Sequence, residues 1–372
     1  MHQKVLFISD KKHVSAEIMG GVQLCTQEYL RYLALAGYDC QIFEVSPRIT
    51  GATKLKVKLG IDVYDKYPVK GYLQNLAAII NEQDIKFVFL NQLSLCVWAD
   101  ELRKYTRSTV RYIGLSHGNE SGDYIHEILQ GDRRGPAATY KMGKLLENEA
   151  KIFSSMLDGV VVMSEQEASI SQWLGAKSVL YLPRLLSPNY IDRKATVPIA
   201  GFAGTLDHLP NRLGLELLAV ELAKLGFNHK LRIIGGPESI GKRLQSNYPF
   251  IEYAGPVADS ALADEIARWS VWINPVFWYA RGASTKLAQA INWGVPCITT
   301  PAGRRGYELS NTAIVTSDNT AASFAQKLML ALNDPSCLDE LQHAVKENAE
   351  NFNTGYLVER LVVFLDKIAV CT

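Results

Sequence analysis

Residues 271–303 read VWINPVFWYARGASTKLAQAINWGVPCITTPAG, and the order of patterns in them decides the architecture. The first six are a short apolar run of the kind that forms a buried strand. FWYARGAS is then a polar, aromatic loop that closes on Gly282 and Ser284. Leu287, Ala288, Ala290 and Ile291 follow at helical spacing, with Ser284 placed to cap that helix. Gly294 stands where a helix ends on a left-handed residue, and Pro296 forbids continuation. Residues 297–300 make the next buried strand. Strand, loop, helix and strand in this order form one parallel βαβ unit. The N-terminus of such a helix offers N–H groups and partial positive charge to an anion such as a phosphate. Gly282 allows close backbone approach there, while Ser284, Thr285 and Lys286 add donors and a cation. The same spacing also fits a plain crossover whose Lys286 is merely solvated.

The chain has 372 residues, 48% of them hydrophobic, enough for a large core and for two domains. With 39 Lys+Arg against 38 Asp+Glu the net charge is +1, which gives no footprint for nucleic acid. Six cysteines are scattered without a CxxC or a neighbouring histidine pair, so a reducing compartment fits better than a disulfide framework or zinc site. The N-terminal MHQKVLFISD runs straight into a strand, and nowhere are there 18 consecutive apolar residues. The expectation is a soluble cytoplasmic protein.

Residues 5–9 are a continuous apolar strand, followed by Gly20-Gly21, an amphipathic helix over 24–35, Gly37 and a strand over 40–45. Buried runs recur at 87–90, 110–115 and 159–163, with helical patterns between them. At 187–197 the composition becomes that of a linker, and then the alternation restarts. Strands are expected at 199–203, 231–234, 251–254, 271–274, 297–299 and 313–315, with a helix over 213–225. Strands alternating with helices indicate doubly wound parallel sheets. The last stretch, 356–369, is a strongly amphipathic helix with no strand after it.

Laid out in order, these residues resemble a GT-B glycosyltransferase, and within that fold family 4 of the retaining, nucleotide-sugar-dependent enzymes. The resemblance runs over nearly the whole chain. It is carried by GGVQLCTQEYLRYLALAGYDCQIF, VVVMSEQEAS, GFAGTLDHLPN, LRIIGGPE, IEYAGPVADSALADEIARWSVWINPV and the stretch quoted first. It implies an α/β chain of two Rossmann-like, doubly wound parallel-sheet domains facing across a cleft. Residues 1–188 would be the acceptor-side domain, with the final helix, 355–372, packing back on it. Residues 196–352 would be the nucleotide-sugar domain.

Position by position, the resemblance implies a donor site made of Gly20 and Gly21 facing the diphosphate, Gly204 and Thr205, Gly235, Val257, Gly282, Ser284, Thr285, Lys286 and Gln289. Gly20 and Gly21 would serve equally as a tight turn with no ligand. The family's phosphate-binding arginine next to Gly204 is here Thr205, with Arg212 or the pair Arg304 and Arg305 available to replace it. Gln289 occupies the place of the second glutamate in the family's Glu-x7-Glu pair, and it can still bind a ribose hydroxyl. The first glutamate is replaced by Arg281, which would meet a carboxylated sugar or the diphosphate, or stand in solvent. His117, after the strand 110–115, falls where the family puts a histidine against the donor sugar, at the strand end where open α/β sheets bind ligands. Asn119, Glu120 and Asp123 on the same loop would orient the acceptor.

The chemistry implied is departure of a diphosphate and attack on an oxocarbenium-like sugar, with cations and fixed N–H donors stabilising the leaving group. His117, Lys286 and Arg281 are the expected catalytic side chains. No Asp-x-Asp occurs in the chain, so no divalent metal and no separate cofactor are expected. The partners expected are a nucleotide sugar and a glycan, lipid-linked or small-molecule acceptor. Lys54-Leu55-Lys56-Val57-Lys58-Leu59 alternates cation and apolar residue. It reads either as a peripheral contact with the inner face of a membrane or as a solvated edge strand. The replacements at 205 and 281 also leave room for a second class, a non-catalytic GT-B subunit that binds a nucleotide sugar or glycan.

Overall fold

The computed structural model describes residues 3–14, 20–48, 50–51, 54–56, 64, 66–130 and 135–370. These fall into two compact units, 1–184 with 353–372, and 185–352. Each is an α/β body built on a parallel sheet.

The first unit holds strands β1 (Gln3–Asp10), β2 (Tyr38–Val45), β3 (Phe87–Asn91), β4 (Arg111–Leu115), β5 (Gly159–Val162) and β6 (Val179–Tyr181) in the spatial order β2-β1-β3-β4-β5-β6. All neighbours are parallel. Strands β3, β4 and β5 are buried along their whole length, which is why they read as unbroken apolar runs rather than as alternating ones. The chain passes from β1 out to β2 and then returns to the other side of β1 as β3. The C-terminal ends of β1 and β3 therefore flank a topological switch point, where such sheets leave a crevice.

The second unit repeats the plan with β7 (Ile199–Ala203), β8 (Lys230–Ile234), β9 (Ile251–Gly255), β10 (Val271–Asn274) and β11 (Cys297–Thr299), ordered β11-β10-β7-β8-β9. Here the switch lies between β7 and β10. Residues 313–315, expected as a sixth strand, make only one bridge, Thr299 to Val315. A tight turn accounts for this. Val315 N–H is used on Thr312 C=O, and Asn311 Oδ1 accepts from Ala313 N–H, so extended backbone cannot begin earlier. Helix starts also differ from the periodicity. The first long helix spans Gly21–Leu35, and Leu209–Lys224 begins before its apolar stripe because Pro210 suits the first turn.

Backbone approach is set by glycines lacking a side chain. A Cβ on Gly201 would lie 1.9 Å from the ring of Trp269, so β7 is covered directly by that indole. A Cβ on Gly214 would lie 1.9 Å from Pro275 C=O, which lets the helix Leu209–Lys224 touch the end of β10.

The final helix, Thr354–Val370, belongs to the first unit. Ile368 and Phe364 occupy the space over Gly159, where a Cβ would come within 2.4 and 2.8 Å of them. Buried Arg111 donates to Ile368 C=O (3.1 Å), holding a carbonyl near the helix C-terminus where positive charge is favoured. Arg360 donates to Tyr181 C=O on the edge strand β6 (2.7 Å).

Two expectations meet the described residues differently. Lys54, Leu55 and Lys56 are helical and exposed, with Lys54 N–H on Thr50 C=O, so an edge strand does not form there. Residues 57–59 lie outside the described residues. No helix among the described residues is long and apolar enough to cross a membrane.

Gly159→Val should overpack this seam and destabilise the protein by about 1–3 kcal/mol. Thermal unfolding would show the loss, and hydrogen exchange should accelerate through Thr354–Val370.

Candidate donor and acceptor sites

At the β7/β10 switch the loop after β10 leads into the helix Thr285–Trp293. Ser284 occupies the N-cap position but does not cap with its side chain. Its hydroxyl donates instead to Asn274 Oδ1 (3.3 Å) at the last position of β10, and Asn274 Nδ2 donates to Thr299 Oγ1 (3.0 Å) and Gly303 C=O (3.4 Å). The expectation of a serine cap is thus corrected. The buried asparagine competes successfully for the hydroxyl, and the amides of the first turn are left to other partners. The helix ends as expected on left-handed Gly294 (φ 67°).

Lys286, in the first turn, runs over Gly204 at the end of β7, where a Cβ would meet its Cδ at 3.1 Å. Its ammonium donates to Asn211 Oδ1 (3.0 Å), and Asn211 Nδ2 donates to Thr205 C=O (2.7 Å). The ammonium also lies 5.7 Å from the centre of the Phe202 ring. Although part of the side chain meets solvent, withdrawal from water lowers its pKa to about 8, with the Arg305 guanidinium pushing the same way. Buried Arg305 donates to Ala302 C=O (3.0 Å) and Arg281 C=O (3.2 Å). Two cations therefore share this corner of the sheet.

The ends of β7, β8 and β9 form a stack of backbone below it. Gly204 N–H donates to Ile234 C=O (3.0 Å) and Gly235 N–H to Gly255 C=O (3.0 Å). Gly235 is left-handed (φ 127°), and a Cβ there would lie 2.0 Å from Gly204 C=O, so no other residue fits. Around this core, Thr205 is exposed, Gly282 is left-handed (φ 66°), and Thr285 and Gln289 stand one helical turn apart, both half-buried. Val257 packs its side chain on the hydrophobic core. Exposed Arg281 joins the site through its carbonyl.

In the first unit, His117 follows β4 and lies beside the switch point. Its Nε2 is 2.7 Å from Asn91 Oδ1 at the end of β3. Asn91 Nδ2 reaches Ser9 Oγ and Thr26 Oγ1, both at 2.9 Å. Thr26 donates its only hydroxyl hydrogen to Val22 C=O (2.9 Å), and Ser9 donates its own to Asp10 C=O (3.2 Å). Both hydroxyls must accept from Asn91, which fixes the amide and leaves its oxygen to accept from His117. The neutral ring is therefore the Nε2–H tautomer, with Nδ1 as its acceptor nitrogen. Tyr29 meets the ring edge-on at 5.7 Å, and His13 is 6.3 Å away.

Asn119 is buried, with its amide directed at Glu149 (3.5 Å) beneath the loop. Glu149 also accepts from Ser121 N–H (3.0 Å), Ser121 Oγ (2.5 Å) and Tyr64 Oη (2.5 Å). Burial raises its pKa against the effect of those donors. Asn119 thus supports the loop from within, while Glu120 and Asp123 stand half-buried on the first turn of Glu120–Gln130. Gly20 is the extended N-cap residue (φ −92°) of the helix Gly21–Leu35. A Cβ there would meet only the flexible end of Gln23, at 2.9 Å, so packing does not demand the glycine.

Sequence reading missed Asn91, Asn211, Asn274 and Tyr307, whose hydroxyl accepts from Ala288 N–H (2.9 Å). A signal existed for two of them, since FVFLN and VWIN each end a buried run on asparagine. The thiols are set aside: Cys25, Cys96 and Cys297 are buried, and burial raises Cys25 to about 11 and Cys297 to about 12.

Comparison with known proteins agrees with the two-unit α/β fold. Residues 197–334 match the family described as glycosyl transferases group 1. No curated protein matches the chain in sequence. Among solved structures, sucrose-phosphate synthase from Thermosynechococcus elongatus is similar with a TM-score of 0.71 at 14% identity, covering 100% of both chains. A glycosyltransferase from Rickettsia africae gives 0.66 at 16% identity, over 100% of this chain and 99% of its own. Anabaena HepE, solved in complex with UDP-glucose, gives 0.64 at 12% identity, over 98% of this chain and 100% of its own. The fold is that of the GT-B glycosyltransferases, and the segment that carries the Lys286 site has the group 1 sequence pattern.

Gly235→Ala should therefore be among the most damaging single changes in the second unit. It forces a side chain against backbone at a left-handed position, and a loss of about 2 kcal/mol or more is expected in denaturant unfolding.

Proposed function

We propose that the protein is a retaining, metal-independent glycosyltransferase that moves a sugar from a nucleoside diphosphate to a hydroxyl of a glycan, lipid-linked or small-molecule acceptor. The observation that carries this reading is Lys286, an ammonium drawn out of water beside a second cation, over the glycine stack at a switch point. Such a group is poised for an anion. The donor diphosphate would lie between Lys286, the first-turn amides at 285–287 and Gly204, with Arg305 adding charge in place of the arginine absent at 205. Fixed N–H groups and cations in a site withdrawn from water stabilise the charge that develops on a leaving diphosphate. These cations would supply the charge neutralisation that a metal provides in other phosphate-transferring sites.

Gln289, one turn along the helix, is suited to a ribose hydroxyl, and the backbone about Val257 to the base. Arg281 at the exposed loop is assigned to the donor's sugar side. In the first unit His117, held by Asn91, would meet the donor sugar, with Glu120 and Asp123 toward the acceptor. Gly20 and Gly21, at the start of the helix Gly21–Leu35, would offer backbone N–H groups to a phosphate.

A thermal-shift series with UDP, GDP, dTDP, CDP and ADP, without added metal, tests the donor site. A rise with one nucleotide directs a transfer assay with its sugar, and UDP is tried first because HepE was solved with UDP-glucose. No rise with any from folded protein would overturn the reading. Lys286→Ala and His117→Ala should each lower turnover by about 100-fold or more. Loss of affinity alone with the first, and no effect of the second, would favour a non-catalytic binding subunit.

The affinity for the nucleotide should also depend on pH with a definite sign. Free Lys286 loses its proton near pH 8, and a bound diphosphate raises that pKa by opposite charge. Affinity is then complete below about pH 8 and falls as pH rises, with proton uptake on binding above it. Calorimetry in buffers of different ionisation enthalpy would detect the proton, and Lys286→Met should abolish its uptake.

A further inference from the structure

The first turn of the helix Thr285–Trp293 is gripped by a side chain from outside the helix. An α-helix joins the N–H of residue i to the C=O of i−4, which here would pair Ala288 with Ser284. Ala288 N–H donates to the Tyr307 hydroxyl (2.9 Å), and that hydroxyl donates to Ser284 C=O. One hydroxyl hydrogen and one lone pair satisfy both contacts. The hydroxyl thus bridges the carbonyl and the amide that define the first turn. With Ser284 Oγ drawn to Asn274 Oδ1 (3.3 Å), the hydroxyl and the carbonyl of the N-cap residue both meet neighbours outside the helix.

Tyr307 is itself fixed. It is 2% exposed and packs in the hydrophobic core of the second unit. It follows left-handed Gly306 (φ 82°), and two residues earlier Arg305 grips Arg281 C=O (3.2 Å). The segment 302–307 therefore clamps both ends of the stretch that leads into the helix: the loop at Arg281 through Arg305, and the first turn through Tyr307.

We propose that Tyr307 is a positioning residue of the donor site. Its hydroxyl ties the carbonyl and the amide of the first turn to the core, and this sets the direction of the N–H groups of Thr285, Lys286 and Leu287 and the origin of the Lys286 stem. The inference rests on the reading of this helix as the diphosphate-binding element. Without that tie the first turn would be held by the helix alone and its amides would be free to tilt, so the phosphate would meet them off-axis. Hydrogen bonds weaken steeply with misalignment, and a charged acceptor magnifies the loss.

Tyr307→Phe keeps the ring and its packing and removes only the hydroxyl. The nucleoside diphosphate that binds in the panel above should bind this variant roughly tenfold more weakly. The parent nucleoside, measured by competition, should bind both proteins equally, because it carries no phosphate. Equal weakening of both ligands, or of neither, overturns the inference and leaves Tyr307 a core residue. Failure of every diphosphate to bind the wild-type protein would instead remove the donor site and this inference with it. Amide exchange in the wild-type protein gives a reading that does not depend on the variant folding. The Ala288 amide should be protected without ligand, whereas those of 285–287 should gain protection only when the diphosphate binds. Exchange of Ala288 as fast as its three predecessors in the free protein would sink the proposal.

Discussion

The second unit is organised around one constraint, an ammonium held where water is scarce. Lys286 has a short reach to Asn211 Oδ1 and a glycine under its stem. Its other close influences are an aromatic face and a guanidinium. The asparagine is neutral, so it satisfies a donor without neutralising the charge. Burying a cation in this way is unfavourable unless an opposite charge arrives. The surrounding architecture is what makes the arrangement hold. Gly235 must be glycine for the β7 and β8 ends to touch. Gly214 must be glycine for the helix carrying Asn211 to sit down on Pro275. Moving either glycine moves the partner of the ammonium.

The two units solve the same problem with the same residue. In each, an interior strand beside the switch point ends on a buried asparagine, Asn91 on β3 and Asn274 on β10. A strand C-terminus has backbone groups that pair with no further strand residue, and a side-chain amide there can donate and accept at once. Asn91 uses its oxygen on His117 and its nitrogen on two hydroxyls that can only accept. Asn274 accepts from Ser284 and donates toward Thr299 and Gly303. Each amide thus dictates the orientation of the group that the functional reading requires. Aspartate in either place would supply the acceptor but lose the donor, and leucine would lose both.

These asparagines also mark where sequence reading stops. The strands were legible because parallel strands buried on both faces become continuous apolar runs, as in VLFIS and FVFLN. The loop and helix at 271–303 were legible because glycine, serine and proline punctuate them. Lys286 and His117 could be singled out by their distance from a strand end, a local quantity. Asn211 could not, because it lies 75 residues from the lysine it meets. The same holds for Tyr307, whose hydroxyl acts on Ser284 from 23 residues away in a loop with no periodicity. Ser284 was misread for a related reason: a serine before a helix is a good cap unless something nearby takes its hydroxyl, and Asn274 does.

Asn119 shows the opposite limit. A polar run such as GNESGD after a strand looks like a surface built for a ligand, yet its asparagine and serine turn inward onto Glu149. A carboxylate in that position needs donors around it, and the loop supplies them from Asn119, Ser121 and Tyr64. The loop is therefore shaped from below by a buried charge. His117 comes two residues before the first of these anchors, with its tautomer fixed from β3. A loop pinned on one side by Glu149 and on the other by Asn91 presents its imidazole with little freedom. Restricted freedom of this kind is what the role proposed for His117 would require, since such a group must meet its partner in one direction.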